Sequence, residues 1–555
     1  MAENKKSNGE RFLVQGTILA IAGIITKIIG AVYRIPMLNI MGLQGQGYYD
    51  IAFQVYSIAL LISSYSLPLA VSKLVSARVA KGQRRNAQKV FKAAMIFAFT
   101  VGTLIMLVVF FGAEFIAEYV MGAKVSSYAL KVLAPGLLIV AVMGVLRGYF
   151  QGCGTMIPTA ISQVLEQIFN AIVSVAGAAL LLDYGSKIAK QEKNELLGPA
   201  YSAAGGTLGT VAGALIGLVF LVLCYYLSRK VIRKWIKRDR TRHVESYKKI
   251  FKILLLTIIP VVLSSAVYNV GNVIDSAMFN NIMGAQGHLE EECVELLGKL
   301  GQYYTLFNVP LAVANALGAS MIPSLVRAYE HRDKRILHNR IYMAIRYTML
   351  IAIPSAFAFF VVGEPIMDFI WPSIDNTTQA VMFQIGAISL VFYSLSTITN
   401  GVLQGVNRMM KPVKNATISL VLHIVSLFIM LVFFKWGIYA IIVSKIVFSL
   451  IMCIMNSHDI WEAIGYRQEQ KRTFVIPSLA ALVMSVVVYV VNLLMEIFVG
   501  GRWGFLVAVA AAVLTYAVCL LKFGGLTEDE ILELPKGATL LTIFKKLHLI
   551  NDNFY

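Results

Sequence analysis

Charge and cysteine are both scarce in this 555-residue chain, and each scarcity excludes something. Only 14% of residues are charged, well below the roughly 25% of an ordinary soluble domain. The five cysteines, Cys153, Cys224, Cys293, Cys453 and Cys519, are scattered and odd in number. They form no metal-ligand spacing and suggest no disulfide framework. The sequence also lacks the patterns of common catalysts: no HExxH, no Walker A loop, no acid pair at metal-binding spacing and no defensible Ser/His/Asp set. An intramembrane enzyme is therefore disfavoured. Without an ATP site, any work must draw on an ion gradient or the membrane potential. No cleavable signal peptide is expected, because the first apolar run starts at Phe12, is too long for a signal core and has no small-residue cleavage site after it.

What the chain has in abundance is apolar sequence. Hydrophobic residues make up 58% and the mean hydropathy is +0.72. Runs of about 18 residues or more can cross the roughly 30 Å hydrocarbon core of a bilayer. Fourteen such spans are expected, at 12–35, 47–72, 93–120, 128–150, 158–182, 201–228, 253–283, 300–326, 347–371, 378–403, 415–434, 437–456, 474–498 and 504–522. The expected fold class is an all-α integral membrane protein.

The loops alternate in charge. Lys73–Lys92 carries Lys73, Arg78, Lys81, Arg84, Arg85, Lys89 and Lys92 with no acid, and Arg229–Lys252 carries eleven Lys/Arg against Asp239 and Glu245. Arg327–Arg346 carries six against Glu330 and Asp333. On the other side, Gly284–Lys299 carries Glu290, Glu291, Glu292 and Glu295 against one lysine, and Glu364–Thr377 has three acids and no base. Basic residues near helix ends stay cytoplasmic, so both termini are expected inside. The net charge of +19 thus points to anionic membrane lipids at the basic loops and not to nucleic acid. The expected organisation is a cytoplasmic N-terminus (1–11), a first lobe (12–228), a basic linker (229–252), a second lobe (253–456), two further spans (474–522) and a cytoplasmic tail (523–555). In the tail, Thr527 and Glu530 form a capping box with Leu526 and Ile531 as its staple. Beyond them, Leu540, Leu541, Phe544 and Leu547 recur at helical spacing beside Lys545 and Lys546, as on a membrane-surface helix.

Three short matches relate the halves. Asn39–Gly45 matches Asn281–Gly287, Glu114–Val120 matches Glu364–Ile370, and Gly148–Gly152 matches Gly401–Gly405. They keep order and fall at the same membrane depth, which describes two parallel six-span units, a transporter architecture.

A charge in mid-span costs about 2.5–3.5 kcal/mol on insertion scales and so faces protein or water. Seven candidates stand out: Lys27, Arg34, Asp50, Arg147, Glu166, Asp275 and Lys445. Arg34, Asp50, Arg147 and Glu166 are candidate substrate-binding residues; the alternatives are pairing that fixes helix packing, an interfacial location for Arg34 and Asp50, and snorkelling for Arg147. Asp275, with Asn269, Asn272 and Ser276 nearby, is a candidate site for Na⁺ or H⁺ coupling, against a salt bridge to Lys445. His423 reads as a packing residue, and the Gly205–Gly217 small-residue run as a close helix contact. Pro68, Pro260, Pro310, Pro323 and Pro354 read as kinks.

Four strings, Lys27–Pro36, Leu146–Gly152, Gln163–Gln167 and Met321–Leu325, together with the span pattern, resemble the lipid-flippase branch of the multidrug/oligosaccharidyl-lipid/polysaccharide exporter superfamily, in particular the SpoVB/YtgP group of Gram-positive bacteria. The resemblance runs from about Gly16 to Gly524. It implies two lobes around a cationic cavity, with Arg34 and Asp50 at the cavity of the first lobe, and a groove for a polyprenyl tail at spans 13 and 14. It departs from the Gram-negative branch, which carries arginines where Ser63 and Thr305 stand here; Arg147, with Lys27 or Lys73, is the substitute source of positive charge. The implied activity is flipping of an undecaprenyl-pyrophosphate-linked cell-wall precursor, lipid II first among them, with no cofactor beyond a Na⁺ or H⁺ coupling ion. Cell-wall synthesis proteins are candidate partners. Rival readings are export of another lipid-linked polysaccharide or teichoic-acid unit, and a cation-coupled drug antiporter.

Overall fold

A computed structural model describes residues 2–239, 241, 244–372, 374–498, 503–532 and 537–546; among them, side chains 2–17, 20, 260, 261, 263–265, 267, 268, 314–324, 503, 529, 540 and 543 are outside the described set. All regular secondary structure among the described residues is helical, with no strand. Eleven helices among them are long and apolar enough to cross a membrane. The first, Ile21–Ala80, takes in the first expected span from residue 21 onward and all of the second. The expected seventh and eighth spans fall in helices of 39 and 41 residues, Tyr247–Ala285 and Glu290–Glu330, which are not among the eleven. Pro260, Pro323 and most of the Met321–Leu325 string lie outside the described side chains.

The helices are α1 (Ala2–Leu60), α2 (Leu67–Ala80), α3 (Arg84–Phe115), α4 (Ser127–Gly152), α5 (Ile157–Glu192), α6 (Leu197–Arg238), α7 (Tyr247–Ala285), α8 (Glu290–Glu330), α9 (Lys334–Ile370), α10 (Thr377–Gly405), α11 (Met410–Val432), α12 (Tyr439–Ile464), α13 (Ile476–Phe498), α14 (Trp503–Lys522), α15 (Glu528–Leu532) and α16 (Gly537–Lys546). They form two compact units, Met1–Gly301 and Gln302–Tyr555, so α7 and the start of α8 pack with the first.

Local chemistry explains the breaks. α1 is interrupted at Gly42, whose φ of 68° and ψ of −179° belong to a region open to glycine alone. A π-helical turn, Leu61–Tyr65, separates α1 from α2 and holds the buried Ser63. Pro68 starts α2 and does not kink it, because a missing N–H costs nothing in a first turn. In α9 the departure from helix is at Val362, three residues before Pro365, whose ring lacks the N–H and crowds the preceding turn; Pro354 lies eight residues earlier. The three matched strings sit at corresponding places: Glu114–Val120 covers the end of α3 and the π-helical turn Ile116–Val120 that follows it, Glu364–Ile370 closes α9, and Gly148–Gly152 and Gly401–Gly405 close α4 and α10. Asn39–Gly45 spans the Gly42 break, and Asn281–Gly287 ends α7.

Each unit has its own apolar core. In the first, Leu67, Val71 and Val75 of α2 pack with Val90 and Ala94 of α3, Leu146 and Phe150 of α4, and Leu254 and Ile258 of α7. In the second, Ile341, Ile345 and Ile353 of α9 pack with Ile398 and Val402 of α10 and Ala481 of α13. Elsewhere large apolar side chains stay exposed, among them Phe99, Phe111 and Phe115 on α3 and Leu482, Val486 and Tyr489 on α13. On a soluble protein such area would be a liability; against hydrocarbon it is the expected surface.

The two acids of the basic linker tie it down. Arg78, itself buried, donates from Nε (3.1 Å) and Nη2 (2.5 Å) to Glu245 Oε2. The Glu245 N–H donates to Asn86 Oδ1 at 3.0 Å, and its carbonyl accepts from Lys89 Nζ at 3.0 Å. The N–H of Arg85 donates to Asp239 Oδ2 at 2.6 Å. Arg84 stacks on Trp235, and Lys89 on Tyr247. The segment joining α6 to α7 is thus strapped onto the basic turn between α2 and α3. Burial would raise the Asp239 carboxyl, but hydrogen bonds from the Arg85 N–H and from Thr241 outweigh it and hold it below its ordinary 3.8. A carboxylate depressed on folding contributes stability above its unfolded value and loses it as pH falls through the folded one.

Glu245→Ala is expected to destabilise the detergent-solubilised protein by about 1–3 kcal/mol, since it leaves a buried guanidinium short of its acceptor. Asp239→Asn is expected to flatten the part of the thermal-stability profile that falls below pH 3.8. Scanning melting temperature against pH checks both; a Glu245→Ala protein as stable as the parent would show the strap to be inconsequential.

Candidate functional site

The four candidate substrate-binding residues come together as two ion pairs, both in the first unit. Arg34 and Asp50 are sixteen residues apart on α1. On an unbroken helix they would be about 24 Å apart along the axis. The turn at Gly42 reverses the chain, and Arg34 Nη2 donates to Asp50 Oδ1 at 3.0 Å. Gln46 Nε2, one turn before Asp50, lies 3.5 Å from its other oxygen, and the Arg34 guanidinium sits 5.9 Å from the Tyr49 ring centroid. The pair is partly accessible, with side-chain exposures of 33% for Arg34 and 14% for Asp50.

Arg147 rises from α4 and grips one turn of α5. Its Nη2 donates to Glu166 Oε2 at 2.7 Å and its Nε to Ser162 Oγ at 3.0 Å. Ser162 Oγ donates onward to the Thr159 carbonyl at 2.7 Å. The expectation that Arg147 could snorkel out of the span is corrected: its fork is held sideways between Ser162 and Glu166, four residues apart on one helix face. Lysine has no such fork. The two pairs are joined through α1 and α5, where Asn170 Nδ2, one turn beyond Glu166, donates to Tyr33 Oη at 3.2 Å.

Small residues make these approaches possible. Along α5 and α6, a Cβ on Gly205 would collide with the Gly177 carbonyl, and one on Gly213 with the Glu166 carbonyl, so the small-residue run does set the close helix contact. A second seam, missed in the sequence, lies between α1 and α8. A Cβ on Gly47 would strike the Val294 carbonyl, one on Gly298 the Leu43 carbonyl, and one on Gly301 the Asp50 carboxylate. The signal was there, since Gly298 and Gly301 are three residues apart on one face, but nothing in the chain says which helix that face meets. Ser162 and Gln46 were also missed, although their spacing of four from Glu166 and Asp50 could have revealed both.

Asp275 is buried on α7, as is Ser276, while Asn272 is exposed one turn earlier. Asn280, a turn later, donates to the Met121 carbonyl at 2.8 Å, which helps to place α7 in the first unit; Lys445, on α12, belongs to the second. Lys27 and Lys73 are exposed. His423 is buried, with its ring nearly perpendicular to that of Phe448 at 6.0 Å between centroids. On α12, His458, Asp459 and Glu462 bring possible metal-ligand atoms within 4.8 Å of one another. The Lys411 ammonium already serves that cluster, at 2.6 Å from Asp459 and 3.2 Å from Glu462.

The helix-only architecture of the described residues and their lipid-compatible surfaces define a multi-pass integral membrane protein. The chain matches the model of the polysaccharide biosynthesis protein family over residues 13–329, more than half its length, and the MatE model over residues 260–429. It belongs to the polysaccharide biosynthesis protein family of the multidrug/oligosaccharidyl-lipid/polysaccharide exporter superfamily, a family of transporters and not of enzymes. Among curated relatives from Bacillus subtilis (strain 168), it is 28% identical to lipid II flippase MurJ, covering 74% of this chain and 75% of that one. It is 23% identical to stage V sporulation protein B, covering 95% and 98%. Among solved structures, the inward closed conformation of lipid II flippase MurJ superposes with a TM-score of 0.65 at 13% identity, over 91% of this chain and 98% of that one. An inward-facing multidrug resistance MATE transporter does so at 0.62 and 16% identity, over 82% and 99%.

Arg147→Ala is expected to lower transport by about tenfold or more while leaving the Glu166 carboxylate unpaired. Arg147→Lys is expected to recover little, because one ammonium cannot meet Ser162 and Glu166 with the same geometry. Arg147→Met with Glu166→Gln separates the roles: restored folding without restored transport assigns the arginine to transport, whereas full transport assigns it to packing.

Proposed function

We propose that this protein flips an undecaprenyl-pyrophosphate-linked cell-wall precursor, lipid II first among them, from the inner to the outer leaflet for peptidoglycan synthesis. The observation that carries the reading is the pair of arginine–carboxylate contacts inside the membrane-spanning part of the first unit. A guanidinium held by a carboxylate is preset to accept another planar or tetrahedral oxyanion. A pyrophosphate headgroup can displace Asp50 or Glu166 from its arginine without leaving an isolated cation in an apolar medium. The potential then helps, since each negative charge moved outward gains about 2.3 kcal/mol per 100 mV. The relationship to lipid II flippase MurJ supports the substrate class. Export of another lipid-linked glycan is the second reading, kept open by the more extensive though less identical match to stage V sporulation protein B.

Depletion in a native host is expected to raise the inward-facing pool of one lipid-linked precursor, identified by mass spectrometry of extracted lipids. Accumulation of a glycan other than lipid II would move the assignment to the second reading, and no accumulation would reject both. Asp275 is proposed as the coupling carboxylate for Na⁺ or H⁺, because it is buried on α7. In proteoliposomes, Asp275→Asn is expected to abolish any dependence of flipping on the Na⁺ or pH gradient; unchanged dependence would remove the role.

Fourteen crossings with both termini cytoplasmic are part of this proposal. The acidic loop before α8 and the basic turn before α9 supply the test. Cysteine substituted at Glu291 is expected to label from outside and cysteine at Arg335 from inside only; the reverse pattern would invert the direction of transport.

A further inference from the structure

The second unit contains a polar cavity that the transport reading does not use. It has a volume of about 570 Å³ and lies between the first turns of α9 and the segment leading from α12 to α13. Arg335 and Arg467 stand on its walls and are exposed. His338, Asn339, Tyr342, Tyr466 and Glu469 complete the polar lining. A cavity of a few hundred cubic ångströms with a few convergent polar groups is the usual form of a small-ligand site.

The walls are held in place before any ligand arrives. His338 Nε2 lies 3.1 Å from the Ile464 carbonyl; a carbonyl only accepts, so this nitrogen donates to it. The ring also packs edge-on to Tyr466, with centroids 5.4 Å apart. Tyr466 Oη donates to Gln468 Oε1 at 2.7 Å, and Gln468 Nε2 donates to Thr473 Oγ1 at 3.0 Å. Tyr342 Oη accepts from Arg346 Nη1, which leaves its own proton to donate.

The charge balance favours an anion. The one carboxylate on the wall, Glu469, is engaged elsewhere: its oxygens accept from the N–H of Arg472 at 2.8 and 2.9 Å, and from the N–H and hydroxyl of Thr473 at 3.1 and 3.2 Å. Its negative charge is thus satisfied by the start of the next helical segment. Two guanidinium groups, a tyrosine hydroxyl and an asparagine amide remain as donors. Two arginines presenting planar forks to one space suit a tetrahedral oxyanion with several acceptor oxygens. The volume exceeds what a bare phosphate fills and leaves room for the glycerol or sugar attached to it.

We propose that this cavity is a phosphate-anion site, formed by Arg335 and Arg467, that takes a phosphate-bearing headgroup or a free phosphate anion and is separate from the arginine pairs of the first unit. The test is thermal unfolding of the detergent-solubilised full chain, titrated at matched ionic strength with inorganic pyrophosphate and, in a second arm, with short-chain phosphatidylglycerol. Short-chain phosphatidylcholine is the zwitterionic control. Stabilisation is expected in at least one arm, with the titration midpoint about tenfold weaker in Arg335→Gln and in Arg467→Gln. Arg340→Gln, an equal charge change on an exposed residue of α9 that does not line the cavity, is expected to titrate like the parent. Response to pyrophosphate alone identifies a soluble ligand, and response to phosphatidylglycerol alone a lipid. Because the comparison uses midpoints, a variant with a lower starting melting temperature still reports. No stabilisation by either probe, equal stabilisation by phosphatidylcholine, or an unchanged midpoint in both Arg335→Gln and Arg467→Gln would overturn the proposal.

Discussion

Hydrocarbon offers no partner to a charge, and much of this molecule is organised around that fact. An ion taken out of water must be met by an opposite charge and by hydrogen bonds, or it destabilises the fold by several kcal/mol. Arg34 meets Asp50, and Arg147 meets Glu166. At the basic loops, Arg78 meets Glu245, and Arg346 meets Glu530. Meeting these demands requires the chain to do otherwise unfavourable things. It reverses at Gly42, brings α5 against α6 at glycine-to-glycine distance, and lays α8 on α1 where any Cβ would strike backbone or carboxylate.

The same constraint links structure to transport. A pair buried among well-packed apolar groups would simply be structural. Arg34 retains a third of its side-chain exposure and Glu166 27%, so each pair has an open flank. On the proposed reading, replacing one oxyanion by another at such a guanidinium keeps the arginine paired, and the open flank leaves room for water to meet the displaced carboxylate. On that reading, specificity for one headgroup over another would come from uncharged neighbours, such as Ser162, Gln46 and Tyr49, and not from the charges alone.

The tail shows how far a local signal reaches. The Thr527–Glu530 capping box forms as its spacing predicts, with the Thr527 N–H donating to Glu530 Oε2 at 2.9 Å and the Glu530 N–H to Thr527 Oγ1 at 3.4 Å. Its second use was invisible. Glu530 also receives Arg346 Nη1 at 2.6 Å, and the Gly525 carbonyl receives Arg346 Nη2. A residue counted in sequence as one more basic-loop charge is the buried anchor that docks α15 on α9. The acids Asp239 and Glu245 had the same history: they were a minor offset to eleven bases, yet they are what straps the linker.

Read alone, the sequence determined what depends on one segment at a time: the apolar runs, the alternation of basic and acidic loops, the glycine-rich face, the capping box and the list of intramembrane charges. These follow from transfer free energy and helical period, which neighbours in the chain set together. Tertiary structure decided the rest. Which carboxylate answers which arginine, that α7 packs with the first unit, that Pro68 begins a helix while the α9 break falls beside Pro365, and that Arg335 and Arg467 share one cavity all depend on contacts between residues remote in sequence. Such contacts are selected by the fit of whole helices, through the small-residue seams and the need to leave no charge unanswered, and no single window of residues contains that information.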